Sequence, residues 1–282
     1  MVKIIADSTC DLSQELIQKY NITILPLHVL LGDKDYKDKV DISTEELYRW
    51  ADDNKTTPKT SAPSPQEVMD ALESMAENDI EILCFSVSGK MSSTFSVMNM
   101  AREEVENEER IYVFDSQNLS TGIGLLMIEA ALMAEKGKSA KQITDYLETI
   151  KEKVRVSFVV DTLTYLHRGG RCNAVAALAG NVMKLHPKIL VSDGKMDVGK
   201  KYRGNTSKAL LKYVHEMEAD LKNARKERAF ITHSGCEPQV VNEIYEYLKS
   251  LDRFEEIFIT EAGCVISSHC GPGTLGVAYI EQ

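Results

Sequence analysis

The 282-residue sequence has no apolar run able to span a bilayer: its longest apolar stretch, 119–134, is interrupted by Gly122, Gly124 and Glu129. It has no basic excess either. Thirty-three Lys and Arg face 43 Asp and Glu, a formal net charge of −10 with neutral histidine. That balance argues against duplex nucleic acid as a partner, because such binding displaces phosphate counterions with cationic side chains. None of the six cysteines (Cys10, Cys84, Cys172, Cys236, Cys264, Cys270) stands in CxxC spacing, and no Cys/His cluster has zinc-finger spacing. They read as reduced, buried, small apolar side chains of a cytoplasmic protein. The first aspartate, Asp7, arrives too early for a signal-peptide core. The phosphate-binding P-loop, the dinucleotide GxGxxG after a strand, HExxH and GxSxG are all missing, so no cofactor is expected. Asp7 and Asp115 lack a nearby second carboxylate, so no metal is expected either.

What is present is ordinary globular composition, 43% hydrophobic and 27% charged. The length is about twice the ~150-residue prior for one domain, and such a chain buries enough surface to need no disulfide or metal. Residues 2–6, 22–31, 80–85 and 111–114 read as strands, with Pro26 arguing for an edge position or a break. Helical patterns lie between them, and Ser64-Pro65-Gln66-Glu67 carries both a capping box and a first-turn proline. Residues 54–64 read as turn-rich. This alternation predicts an α/β fold with a mainly parallel, helix-covered sheet. From about residue 154 the pattern becomes mixed α/β. There is a strand at 156–160, an Ala-rich helix over 173–185, a hairpin around Asp193-Gly194, a strand–helix–strand unit over 229–260 and a last strand at 276–280. Two α/β domains, 1–155 and 156–282, are expected.

Small hydroxyl residues gather where those strands end. Ser8 and Thr9, then Ser86, Ser88, Ser92, Ser93 and Thr94, then Ser116, each follow a strand, and Thr60-Ser61 precedes a helix in the same half. In an open parallel sheet ligands bind beyond the carboxyl ends of the strands. A rim of hydroxyls beside a helix N-terminus suits an anion. Taken one at a time, the same residues suit N-caps and turns.

Six short motifs in order, from Asp7-Ser8-Thr9-Cys10-Asp11-Leu12 and Thr60-Ser61-Ala62-Pro63-Ser64-Pro65 to His269-Cys270-Gly271-Pro272-Gly273, resemble those of the DegV family of bacterial fatty-acid-binding proteins, and the resemblance covers essentially the whole chain. Asp7-Ser8-Thr9-Cys10-Asp11-Leu12 is similar to that family's N-terminal motif, and Thr60-Ser61-Ala62-Pro63-Ser64-Pro65 to its T-S-Q-P-S-P loop. Ser92-Ser93-Thr94-Phe95 stands where the family has S-G-T-Y, and Asp115-Ser116 with Gly122-Ile123-Gly124 fits another shared segment. Leu166-His167-Arg168-Gly169-Gly170-Arg171 and His269-Cys270-Gly271-Pro272-Gly273 complete the series. The resemblance implies two α/β domains with a lipid tunnel between or beneath them. A long-chain fatty acid would lie there with its carboxylate on Thr60 and Ser92. Ser93 would stand close by, replacing the family's glycine, with backbone strain if the position needs a positive φ. His269, in a turn-rich loop, would be a hydrogen-bond or charge partner.

The resemblance also implies a non-catalytic carrier that presents the acid to a separate ATP-dependent fatty acid kinase. Arg171 and Arg203, in a locally basic segment, are the first candidates for partner or phosphoryl contact. A monomer is the default. The competing reading is an acyl hydrolase or acyltransferase with Ser92 or Ser93 as nucleophile and His269 as base.

Overall fold

The computed structural model of the chain describes residues 1–76, 80–172 and 185–282. Strands β2 (Ile22–Leu25), β1 (Val2–Asp7), β6 (Glu81–Ser86) and β7 (Ile111–Asp115) form, in that order, a sheet in which every pairing is parallel. A small antiparallel sheet joins β4 (Lys34–Lys37), β3 (His28–Leu31) and β5 (Lys59–Ser61). A six-stranded mixed sheet has the order β10 (Lys195–Arg203), β9 (Leu185–Ser192), β8 (Val154–Val159), β13 (Thr274–Glu281), β11 (Ala224–Ser234) and β12 (Glu256–Glu261). Only its β11–β12 pair is parallel. The fold is therefore α/β, with a parallel N-terminal sheet and a mixed C-terminal one.

Helices α1 (Gln14–Lys19), α2 (Thr44–Asn54), α3 (Pro65–Met75), α4 (Thr94–Glu103), α5 (Thr121–Glu135) and α6 (Ala140–Ile150) belong to the first half. In the second lie α7 (Thr164–Gly169), α8 (Thr206–Glu216), α9 (Glu218–Lys222), α10 (Pro238–Ser250) and α11 (Cys264–Cys270). The helix expected over 173–185 falls, up to residue 184, outside the described residues.

Local chemistry explains most boundaries. Ser64 caps α3 through a reciprocal box with Glu67, with Pro65 in the first turn. Asp193 (φ 49°) and Gly194 (φ 72°) take the left-handed pair of conformations that a two-residue hairpin between β9 and β10 requires. The stretch read as one strand over 22–31 is divided. Proline offers no backbone N–H, and at Pro26 the chain leaves the parallel sheet, where β2 is an edge, to enter the small antiparallel one. The turn-rich segment 54–64 contains β5, too short to show a period-2 pattern.

Helix α5 sets the spacing of the two large sheets. Ten of its 15 residues are buried, on every side of the helix, and it packs against β1 and β6 on one side and β8 and β13 on the other. One cluster of buried apolar residues runs from Leu83 and Phe85 through Ile123 and Leu126 to Phe158 and Ala278. The glycines of Gly122-Ile123-Gly124 let the helix come close. A Cβ on Gly124 would lie 2.6 Å from Leu12 Cδ2 and 3.3 Å from the Cys10 carbonyl oxygen. One on Gly122 would lie 2.6 Å from Val156 Cγ2. Gly124→Ala is accordingly expected to cost about 1–3 kcal/mol through overpacking, read as a lower urea midpoint with an unchanged slope. A midpoint at or above that of the wild type would show that α5 has room to shift.

Candidate functional site

A cavity of about 240 Å³ lies where the three sheets meet, and side chains far apart in sequence line it. Thr60 comes from β5, Ser92 and Ser93 from the entry to α4, Thr9 from the end of β1, and His269 from α11. Leu27, Val87, Leu119, Met196 and Ile266 are among its apolar walls. The expected hydroxyl rim is thus divided. Thr9, Thr60, Ser61, Ser92 and Ser93 line the cavity, although the Thr9 hydroxyl is spent on Asp7 Oδ1, and others serve as structural pins. Ser8 Oγ donates to Asp38 Oδ2 (2.7 Å), Ser88 Oγ to the Gly194 carbonyl (2.7 Å), and Ser116 Oγ to the Ser86 carbonyl (2.7 Å).

Ser92 Oγ accepts from Thr94 N (3.3 Å) and shares a hydrogen bond with Thr94 Oγ1 (2.8 Å). It therefore sits at the open end of α4, with the helix dipole behind it. Ser93 has φ −77°. This is ordinary right-handed backbone, so the serine that stands in place of glycine carries no strain.

His269 lies on a helix, not in the loop expected for it. Thr60 Oγ1 is 2.8 Å from its Nε2, while its Nδ1 has no hydrogen-bond partner among the described residues. Burial, reinforced by the Arg171 guanidinium, pushes the imidazole down to about 4, so the ring is uncharged at neutral pH. An unpaired lone pair at Nδ1 costs less than an unpaired N–H, and a nearby positive charge favours it further. We therefore place the ring proton on Nε2, which donates to Thr60 Oγ1. The threonine keeps its own proton to give elsewhere.

The position of the ring is built from both ends of the chain. Gly169 stands against Nδ1, where a Cβ would come within 2.5 Å. This gives the glycine of the Gly169-Gly170-Arg171 motif a steric reason. The start of α11 is held by two buried carboxylates: Asp11 Oδ1 accepts from Gly263 N (2.8 Å) and Asp38 Oδ1 from Cys264 N (2.7 Å). Ser120 Oγ donates to Asp11 Oδ2 (2.6 Å), and Lys39 Nζ lies 3.3 Å from Oδ1. Burial works against the Lys39 charge, but Asp11 and Asp38 outweigh it and its pKa is raised. Asp7, also buried, joins the ends of two strands by accepting from Thr9 N (3.0 Å) and Val87 N (2.7 Å), and burial pushes its carboxyl up to about 6. Sequence reading missed Asp38, Lys39 and Gly263. Asp11 alone carried a signal, as part of the N-terminal motif.

Arg171 is exposed where it lines the cavity, its Nη1 donating to the Gly169 carbonyl (2.7 Å). Arg203 is exposed at the end of β10 and is not among the cavity-lining residues. The β9–β10 hairpin reaches across to the N-terminal half: Lys90 Nζ donates to the Asp193 carbonyl (2.7 Å) beside the Ser88–Gly194 bond, and Met196 joins the cavity wall. The hydrolase reading finds no support. Nε2 of His269 is engaged by a threonine, and Nδ1 lacks the acceptor that would orient a general base. Among the described residues no helix is long and apolar enough to cross a membrane, and no cluster of side chains suits a metal ion.

Hydroxyls, a neutral histidine, an arginine and apolar side chains thus line one cavity where the parallel and mixed sheets meet. A family model described as an uncharacterised protein of the DegV family matches residues 1–282, and the chain belongs to that family. It is 31% identical over 281 residues to a DegV domain-containing protein of Caldanaerobacter subterraneus, covering 100% of this chain and 99% of that one. Among solved structures it resembles a fatty-acid-binding DegV family protein from Thermus thermophilus (TM-score 0.90, 30% identity, 100% of this chain and 99% of that one). It also resembles a stearic-acid-binding protein from Eubacterium ventriosum (TM-score 0.86, 28% identity, 100% and 98%).

The neutral histidine gives a pH test. With the folded pKa below the ordinary 6.5, the unfolded chain takes up a proton that the folded one does not, as pH falls from about 6.5 to about 4. His269 thus adds stability above that window and loses it within. An NMR titration should find its midpoint near 4, and Arg171→Gln should raise it. A midpoint near 6.5 in the wild-type protein would contradict the enclosed, guanidinium-facing placement.

Proposed function

We propose that this protein binds a long-chain fatty acid, palmitate-like in length, in the cavity between its sheets. The carboxylate is held by Thr60 and Ser92, with Ser93 and His269 beside them. The observation that carries this reading is that hydroxyls 32 positions apart in sequence line one cavity together with apolar side chains such as Leu27, Val87, Leu119, Met196 and Ile266. Hydroxyl and amide donors offset the cost of enclosing a carboxylate. His269 donates to Thr60 and leaves the threonine proton for the ligand, while the α4 N-terminus adds favourable potential at Ser92. The tail supplies the affinity: about fourteen methylenes at ~0.8 kcal/mol each contribute on the order of 10 kcal/mol before association and ordering costs.

The protein works as a carrier in lipid metabolism and not as a catalyst. A head group beside an exposed arginine, with a basic surface nearby, suits presentation of the acid to a separate ATP-dependent fatty acid kinase. Arg171 would stand next to the phosphoryl group, and Arg203 on the docking surface. A monomer acting in the cytoplasm fits this role.

Mass spectrometry of lipid extracted from the purified protein should find a long-chain acid, or the delipidated protein should take one up. Thr60→Ala and Ser92→Ala should each weaken binding by about 1–3 kcal/mol through loss of a hydrogen bond to a charged group, measured by calorimetry. An empty protein that takes up no fatty acid would end the proposal. Unchanged affinity in both variants would move the head group elsewhere.

A further inference from the structure

A chain of three threonine hydroxyls stands beside a second cavity next to the first, and what that cavity could hold deepens the fatty-acid reading on which it rests. Leu119, Ile266 and Cys270 are shared with a second, smaller cavity of about 30 Å³. It lies over Gly276, a position of β13 that projects no side chain. Across the sheet Gly276 pairs with Thr232 of β11 on one side and Phe158 of β8 on the other, and Thr232 pairs in turn with Thr260 of β12. Residues paired across strands project from the same face. The row therefore runs from two hydroxyls over bare backbone to an aromatic ring. Thr121 of α5 closes the opposite wall.

The three threonines form a chain: Thr121 Oγ1 is 2.7 Å from Thr232 Oγ1, which is 3.0 Å from Thr260 Oγ1. Three hydroxyls carry three protons, and these two bonds use two. The third has no acceptor among the described residues. A neighbouring trio avoids this: Tyr48 bonds to Ser234, Ser234 to Ser267 (2.7 Å), and Ser267 Oγ donates onward to the Ala262 carbonyl (3.4 Å). Thr121 is buried and lines the small cavity, whereas Thr260 is buried and does not. With the bonds running Thr260 to Thr232 to Thr121, the surplus O–H of Thr121 opens into the cavity. A buried donor needs an acceptor, and the space is sufficient for a water molecule.

We propose that this inner cavity is a subsite for an oxygen on the acyl chain, so that the protein accepts a fatty acid bearing a hydroxyl or keto group part-way along its tail. That oxygen takes the Thr121 proton and displaces the water. A hydroxyl can also donate in return to a free lone pair on Thr121 or Thr232, while Val156, Phe158 and Ala278 enclose the adjoining methylenes. A plain acyl chain would instead strand the donor.

The test is calorimetry with stearic acid and a set of hydroxystearic acids, the hydroxyl at different carbons, on the delipidated protein and on Thr121→Val and Thr232→Val. At least one hydroxy isomer should bind the wild type as tightly as stearic acid or more tightly. Each valine variant should lose about tenfold for that isomer, the worth of one buried hydrogen bond, while holding or gaining affinity for stearic acid. Thr232→Ser, which keeps the hydroxyl, should restore the preference and guards against a variant that merely folds badly. If every hydroxy isomer binds the wild type more than tenfold more weakly than stearic acid, or the valine changes move both acids alike, the subsite is refuted and the fatty-acid reading stands. If no acid binds, both fall together.

Discussion

The candidate site depends on two buried carboxylates that grip the start of one short helix. Asp11 follows the first strand, Asp38 follows β4, and both accept backbone N–H groups at the beginning of α11, more than 220 residues further along the chain. A helix of seven residues has little stability of its own. Its place is set by what holds its ends. Enclosing these acids would be expensive if any lone pair went begging, and the surroundings meet the demand with Ser8, Ser120 and the Lys39 ammonium. Gly263 is the residue that lets them in: a Cβ there would lie 2.6 Å from Lys39 Cε and 3.0 Å from both Asp38 oxygens.

From that anchor the geometry follows outward. His269 sits near the far end of α11, meets Thr60 of the small sheet, and leaves room on its other side only for a glycine. The parallel sheet contributes Thr9 and Ser92 from the ends of its strands, as its topology favours. The mixed sheet contributes Met196 to the cavity wall and the hairpin whose tip rests on Ser88 and Lys90. The cavity lies where all three sheets meet.

Much of this was legible in the residues. Strand–helix alternation showed the α/β class, the capping box of Ser64 and Glu67 located α3, and Asp193-Gly194 marked the hairpin. Thr60, Ser92 and His269 stood out through family motifs, and their meeting is long-range, which local patterns do not encode. The illegible parts have physical causes. A three-residue strand such as β5 is shorter than any periodicity, and α11 begins at a glycine with no side-chain cap, because its capping groups come from distant carboxylates. Asp38 looks like a solvated loop charge in sequence, and only packing shows it to be interior. The hydroxyls that resemble one another in sequence, Ser88 and Ser92 among them, part company in space for the same reason.

The helix shared by the two large sheets has a consequence for how the chain can be divided. α5 belongs to the first 155 residues, yet it contacts β8 and β13 directly. A fragment ending before β8 would leave a greasy flank of α5 bare to water, and the complementary fragment would expose the inner face of its own sheet. Both pieces would be prone to self-association. Synthesised on a ribosome, the first half must therefore wait with its central helix half-clothed until β8 and β13 arrive to cover it.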